Sequence, residues 1–481
     1  MAVLTGDEYR ESLKAFSPEV YMRGERVDKV WEHPLLRQTV NHMAIGCDLA
    51  ADPANRGTFS VRSPLVDEDV SRIGHHIQTS LEDLTIKAKL TREVSGRRIC
   101  AQCMSNMLSV TWAMIYDIDQ AHGTDYFPRY REFIKTLQRK GHGIAWGMMD
   151  PKGDRSLPPS KQRRPTDLRI TERRPDGIVV RGAKLHTTYG AAAHEVVAVP
   201  CRALGEDDKD FAVSFAVPID TKGVKLIARP SPGPSRETDM ESPLSSQSSQ
   251  FIGVECLTIF DDVFVPEERV FMCGEWDQTV KLPFYFAGLH RQSKCACSAG
   301  HTDLLIGVAA LLADVNGLGT GPSHIRDKIT DMMMAATTAY GCAMGAAQEG
   351  TAHPSGVYLP DPAIANAGLN HIRSVLGTHL GHIHDIAGGL IVTMPTEADW
   401  KNPELRKHME EALAGSDKYT VEERLRVMHL AQELAASRLT GTLLGFTINA
   451  AGSPVTNRIV VRNQYDLEEK IEIAKEISGI A

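Results

Sequence analysis

The chain has no basic excess. Its 53 Lys and Arg residues are outnumbered by 61 Asp and Glu, giving a formal net charge of −8 and a pI near 6.1. A nucleic-acid stripe or an anchor for anionic lipid is therefore not expected. No uninterrupted apolar run approaches the roughly 20 residues of a membrane span, so none is predicted. The opening MAVLTGDEYRESLKAF carries acidic residues and no long apolar core, and does not read as a secretory signal. Nine cysteines in 481 residues are too sparse for a disulphide framework, and odd in number. A cytoplasmic protein with mostly reduced thiols is the expectation. No GxGxxG opens a βαβ unit, and no GxxxxGK runs into Ser or Thr, so dinucleotide folds and nucleotide triphosphatases lack their main signal. HExxH is also missing.

What is present is an ordinary globular composition, 42% hydrophobic and 24% charged. The length predicts two or three domains, each with its own core. The first 140 or so residues carry apolar positions at helical spacing, as in Ile73, Ile77, Leu81 and Leu84. Asp150-Pro151-Lys152-Gly153-Asp154 is a turn sequence, and after it the texture becomes β-like. Short β-branched runs follow at 168–171, 177–180, 194–199, 211–217, 223–227 and 256–260. Ser231–Gln250, rich in Ser, Pro and charge, reads as a surface loop. Beyond Phe284 the helical pattern returns, with 421–444 read as one long helix. The predicted organisation is an N-terminal helical domain over 1–145, a central β-domain over 146–278 and a C-terminal helical bundle over 279–481. Long alanine-containing helices suit a tight bundle and helix-mediated oligomer contacts.

Four cysteines fall in two close pairs, Cys100/Cys103 and Cys295/Cys297, with His290 just ahead of the second. His290 and Cys297 are two helical turns apart and share a face, whereas Cys295 points elsewhere on the same helix. Pooled in space, Cys100, Cys103, His290 and Cys297 would offer three thiolates and an imidazole, a donor set for zinc or an iron–sulphur cluster. Unpooled, they are buried thiols or, at Cys100/Cys103, a redox dithiol. Gly388-Gly389, after Asp385-Ile386-Ala387, permits close backbone approach to a ligand or a second helix.

A further set of motifs runs through the whole chain. They are Asp150-Pro151-Lys152-Gly153-Asp154-Arg155, Gly182-Ala183-Lys184, 211–218, 260–266, His290-Arg291-Gln292-Ser293, 385–389 and Ala451-Gly452-Ser453-Pro454. Together they resemble the 4-hydroxyphenylacetate 3-hydroxylase family. The resemblance implies a multidomain α+β, acyl-CoA dehydrogenase-like fold, bound FAD and a homotetramer. It implies flavin contact for Met149, Asp150, Lys152, Gly153, Arg155, Ser156, Thr188, Arg291 and Gln292, with Asp385, Gly388 and Gly389 meeting a neighbouring subunit's flavin. The implied activity is a flavin-dependent acyl-CoA dehydratase or isomerase, with Glu255, His290 and Lys294 as catalytic residues. For the branch with a 4Fe-4S cluster, His290 and Cys297 match two ligands. The CxxC at Cys100 and Cys103 departs from that branch's CxxxC, whose positions fall on Arg98 and Gln102 here. Lys294, Ser298 and Thr447 stand where that branch has tyrosine, lysine and glutamate. The alternative implied activity is a two-component aromatic monooxygenase fed reduced FAD by a partner reductase, with His142 as the base near a phenol. A non-catalytic flavin-binding relative is a third reading.

Overall fold

The computed structural model describes residues 3–97, 103–229 and 254–480. Cys100, the side chain of Cys103 and the Ser231–Gln250 stretch lie outside the described residues.

The expected N-terminal helices are present as Gly6–Leu13, Arg37–Ala51, Leu81–Gly96, Cys103–His122 and Tyr126–Lys140. Their starts follow local chemistry. The Thr5 and Ser80 hydroxyls accept the backbone N–H of Glu8 and Asp83, capping the first and third of these helices. The region is not wholly helical, however. Glu19–Met22 and Glu25–Val27 form a hairpin, and Ser60–Ser63 pairs with Glu68–Ser71. The period-two burial of Glu19–Met22 is too short to register in a helical window, and Arg23-Gly24 supplies the turn with φ of 55° and 88°.

That first hairpin enters the central domain. The six-stranded sheet runs in the order Glu25–Val27, Glu19–Met22, Val224–Ala228, Glu255–Pro266, Gly177–Thr188, Arg169–Arg174. The four-stranded sheet runs Val270–Cys273, Val213–Pro218, Glu195–Ala198, Ile144–Gly147. Val20, Val180, Val196, Phe215, Leu226 and Phe260, all 0% exposed, belong to one apolar core that takes in both sheets. Phe215 meets Phe260 edge to face across that core, with ring centroids 5.5 Å apart.

The C-terminal bundle is organised by the helix Lys281–Val315, 35 residues long. It packs against Ser323–Gln348, Pro362–Ala387 and the N-terminal helix Leu81–Gly96. The helical stretch Trp276–Val315 is, by length and composition alone, apolar and long enough to cross a membrane. Yet 61% of its apolar window is buried inside the molecule, as a central bundle helix requires. Gly300 sets the approach of Leu81–Gly96, because a Cβ there would lie 2.1 Å from the Arg92 carbonyl oxygen. The single helix expected over 421–444 is instead two, Val421–Ala435 and Arg438–Asn449. Ala436 leaves helical geometry at φ −139°, and Ser437 Oγ accepts from Leu439 N at 3.1 Å. Serine competes for the backbone and starts a new helix.

Candidate active site

The strand Gly177–Thr188 anchors the 149–156 loop and carries one of the predicted contacts, Thr188. Lys184 lies beneath the turn at Asp150, 2% exposed, with its ammonium 2.6 Å from the Asp150 carboxylate. Cys201 donates its S–H to the other Asp150 oxygen at 3.1 Å. The next residue, Leu185, donates its N–H to the Met149 carbonyl at 2.6 Å. These bonds tie the base of the 149–156 loop to the sheet, while Lys152, Gly153, Arg155 and Ser156 remain exposed. Gly153 has φ 47°, and a Cβ there would meet the Gln162 amide oxygen at 2.6 Å. The loop is therefore anchored at its buried end and presents its polar end outward.

The same strand ends under backbone strain. His186 and Tyr189 both occupy the left-handed region, at φ 57° and 61°, on either side of Thr187 and Thr188. For non-glycine residues this costs on the order of 1–3 kcal/mol each and persists only where the surroundings enforce it. Tyr189 is enforced by its N–H to the Val254 carbonyl at 3.0 Å and its hydroxyl 3.0 Å from His42 Nε2. Thr188 is thereby placed opposite Glu255 on the neighbouring antiparallel strand. Its hydroxyl reaches both carboxylate oxygens, at 2.8 and 3.0 Å. Glu255 is 8% exposed.

A second group gathers on the long helix. His290, Arg291, Gln292, Lys294 and Cys297 are all at most 5% exposed. The His290 ring stacks on Phe286, one turn earlier, at 4.4 Å and 12°. Burial first, and then the charges of Lys294, Arg291, Arg373 and Lys87, pull the imidazole down to about 3. Its Nδ1 is buried with no hydrogen-bond partner among the described residues. Lys294 Nζ lies 3.8 Å from Cys297 Sγ, and Lys87 donates to Ser105 Oγ. Cys295 turns away and donates to the Ala365 carbonyl at 3.2 Å. Gln292 spans two helices, donating to the carbonyls of Leu84 at 3.3 Å and Ala343 at 3.2 Å. Arg373 was not singled out in the sequence; its signal is a lone cation inside the apolar run of Pro362–Ala387.

The predicted metal set is only half described. His290 and Cys297 share one buried face, but Cys100 and the Cys103 side chain lie outside the described residues. Among the described residues, no group of three or more His, Cys, Asp or Glu side chains could hold a metal ion. His142 is part of a different cluster, its ring stacked on His194 at 4.4 Å. Asp385 is an exposed partner of Lys328 at 3.0 Å, and Gly388, at φ 69°, ends its helix in open space.

Two family models together match nearly the whole chain. The 4-hydroxyphenylacetate 3-hydroxylase N-terminal model covers residues 5–272, and the corresponding C-terminal model covers 279–479. The chain belongs to this family. Among its relatives is a 4-hydroxybutyryl-CoA dehydratase/vinylacetyl-CoA-Δ-isomerase of Clostridium aminobutyricum, 36% identical over 99% of this chain and 100% of that protein. The oxygenase component of 4-hydroxyphenylacetate 3-monooxygenase from Thermus thermophilus is 26% identical over 96% of this chain and 95% of the relative. A solved oxygen-tolerant archaeal 4-hydroxybutyryl-CoA dehydratase from N. maritimus superposes with a TM-score of 0.94 at 34% identity, over 100% of this chain and 95% of that one. The family's helical, β, helical architecture is the one expected from the sequence.

Proposed function

We propose that this member of the family is an FAD-dependent enzyme that dehydrates or isomerises a hydroxyacyl-CoA or enoyl-CoA thioester. The observation that carries the reading is the Thr188–Glu255 pair, a nearly buried carboxylate held by a hydroxyl at a strained strand end. Support for the reaction class comes from the full-length similarity to the clostridial dehydratase/isomerase. The 149–156 loop and Thr188 fit a flavin: the loop is pinned at Asp150, exposed from Lys152 to Ser156, and shaped at Gly153 against Gln162. Bound FAD would supply electron exchange with the substrate. Glu255 takes the proton next to the thioester carbonyl, and the Thr188 hydroxyl holds the carboxylate in one orientation. Lys294, buried on the long helix, supplies positive charge that stabilises negative charge developing on the substrate.

A 4Fe-4S cluster belongs to this reading only if Cys100 and Cys103 join His290 and Cys297. The described donors alone do not form such a site, and no step is derived through one. Iron and sulphide analysis after anaerobic purification decides it. Stoichiometric iron and sulphide, lost in Cys297→Ala, support a cluster, and flavin without iron removes it. The homotetramer, with Asp385, Gly388 and Gly389 against a neighbour's flavin, is part of the same proposal.

The monooxygenase alternative needs a base near a phenolic hydroxyl. His142, the residue expected for that role, stacks on His194, with Phe16 edge-on to its ring at 5.7 Å. The two readings separate on one purified sample. Anaerobic conversion of 4-hydroxybutyryl-CoA supports the dehydratase, whereas oxygen consumption with reduced FAD and a phenol overturns it.

A further inference from the structure

Arg291 on the long helix and Arg373 on Pro362–Ala387 are 5% and 6% exposed. Arg291 Nε donates to the Ala451 carbonyl at 2.9 Å. Arg373 Nη1 donates to the Gly452 carbonyl at 2.9 Å and to Asn457 Oδ1 at 2.5 Å. Both guanidiniums therefore converge on one turn, Ala451-Gly452. Gly452 has φ 80°, and a Cβ there would lie 2.6 Å from Arg291 Nη2. The acceptors are all neutral. Among the described residues, Arg291 Nη1 and Arg373 Nε and Nη2 are buried with no hydrogen-bond partner. A guanidinium cannot shed its charge at physiological pH, and a buried unpaired charge is strongly disfavoured. Lys294, 5% exposed and three residues beyond Arg291, adds a further ammonium rather than a counter-charge.

We propose that Arg291 and Arg373 together hold an oxyanion carried by a small-molecule ligand. Arg373 offers Nε and Nη2 as parallel N–H donors to paired oxygens, and Arg291 adds Nη1. The oxyanion is supplied by the pyrophosphate of the flavin dinucleotide or by a carboxylate on the acyl substrate. The first source rests on the flavin reading above; the oxyanion site rests on the arginines alone.

The test uses the full-length protein and three probes: FAD, riboflavin, which lacks the pyrophosphate, and succinate as a carboxylate. Arg373→Met weakens FAD at least about tenfold while riboflavin is unchanged if the pyrophosphate is the source. It leaves FAD unchanged and removes succinate binding if the source is a carboxylate. Asn457→Ala removes a neutral contact and keeps both charges, so it leaves all three affinities within about twofold. Arg291→Met, on the other helix, gives the same result as Arg373→Met and serves where that variant does not fold. Wild type that binds succinate but no flavin sinks the flavin reading and leaves the oxyanion site standing. The site is overturned if wild type binds neither FAD nor succinate. It is also overturned if a folded arginine variant binds both like wild type, or if Asn457→Ala reproduces the arginine loss.

Discussion

Thr188 and Glu255 face each other across two antiparallel strands, and the threonine hydroxyl lies 2.8 and 3.0 Å from the two carboxylate oxygens. In the reaction proposed above, the pair fixes where the proton is taken. Glu255→Gln keeps the shape and a hydrogen bond but removes the base, so kcat falls by about 10²–10⁴-fold. Thr188→Val removes only the orienting hydroxyl and costs roughly tenfold. Steady-state kinetics on folded variants checks both, and equal losses would contradict the division of roles.

The buried Lys184–Asp150 ion pair predicts a second effect. Lys184→Met leaves the Asp150 carboxylate buried without its 2.6 Å partner. Breaking such a pair destabilises by about 3–5 kcal/mol. The double variant Lys184→Met with Asp150→Asn recovers part of that loss. Denaturant midpoints of the two proteins provide the comparison.

Gly300 marks the closest approach of the N-terminal and C-terminal helices. Gly300→Ala drives a methyl to within 2.1 Å of the Arg92 carbonyl oxygen, so the helices must separate. The expected cost is about 1–3 kcal/mol, read as a lowered Tm. Gly307, on the same helix with open space around its Cα, is the control. Gly307→Ala leaves Tm unchanged or slightly higher.

His194 gives the chain an acid-sensitive point. Gly143 N–H donates to its Nδ1 at 3.0 Å, and Ser12 Oγ lies 2.8 Å from its Nε2. A neutral ring satisfies both bonds; a protonated one loses the first. Burial, then the charges of His142 and His75, hold the imidazole down to about 3 from an ordinary 6.5. Between those values the unfolded chain takes up a proton that the native ring refuses. Stability is therefore full above the unfolded value and falls with pH below it, by at most about 1.4 kcal/mol per pH unit. Urea midpoints from about pH 8 to about pH 5 show a shallower slope in His194→Gln than in wild type. Identical slopes would refute the assignment.

The three-part architecture was legible because helical spacing and β-branched runs persist over long segments. The hairpin at Glu19–Val27 was not, since four and three residues carry too little periodicity and its partner strand at Val224–Ala228 is remote in sequence. The break at Ser437 was missed for a related reason: apolar spacing carried through a residue whose hydroxyl restarts the helix. At the site, His290 and Cys297 could be placed on one face by arithmetic on a helix. Arg373 could not be joined to Arg291, because only tertiary packing brings their helices to the Ala451-Gly452 turn. The strain at His186 and Tyr189 was equally hidden, since neither residue type announces a left-handed backbone.

The most direct test of the central claim is solvent deuterium exchange into 4-hydroxybutyryl-CoA under anaerobic conditions, followed by mass spectrometry. Wild-type protein carrying FAD incorporates deuterium next to the thioester carbonyl. Glu255→Gln, with the same flavin content, does so at less than about one-hundredth of that rate. Exchange at the wild-type rate in Glu255→Gln, or none in the flavin-loaded wild type, would contradict the account.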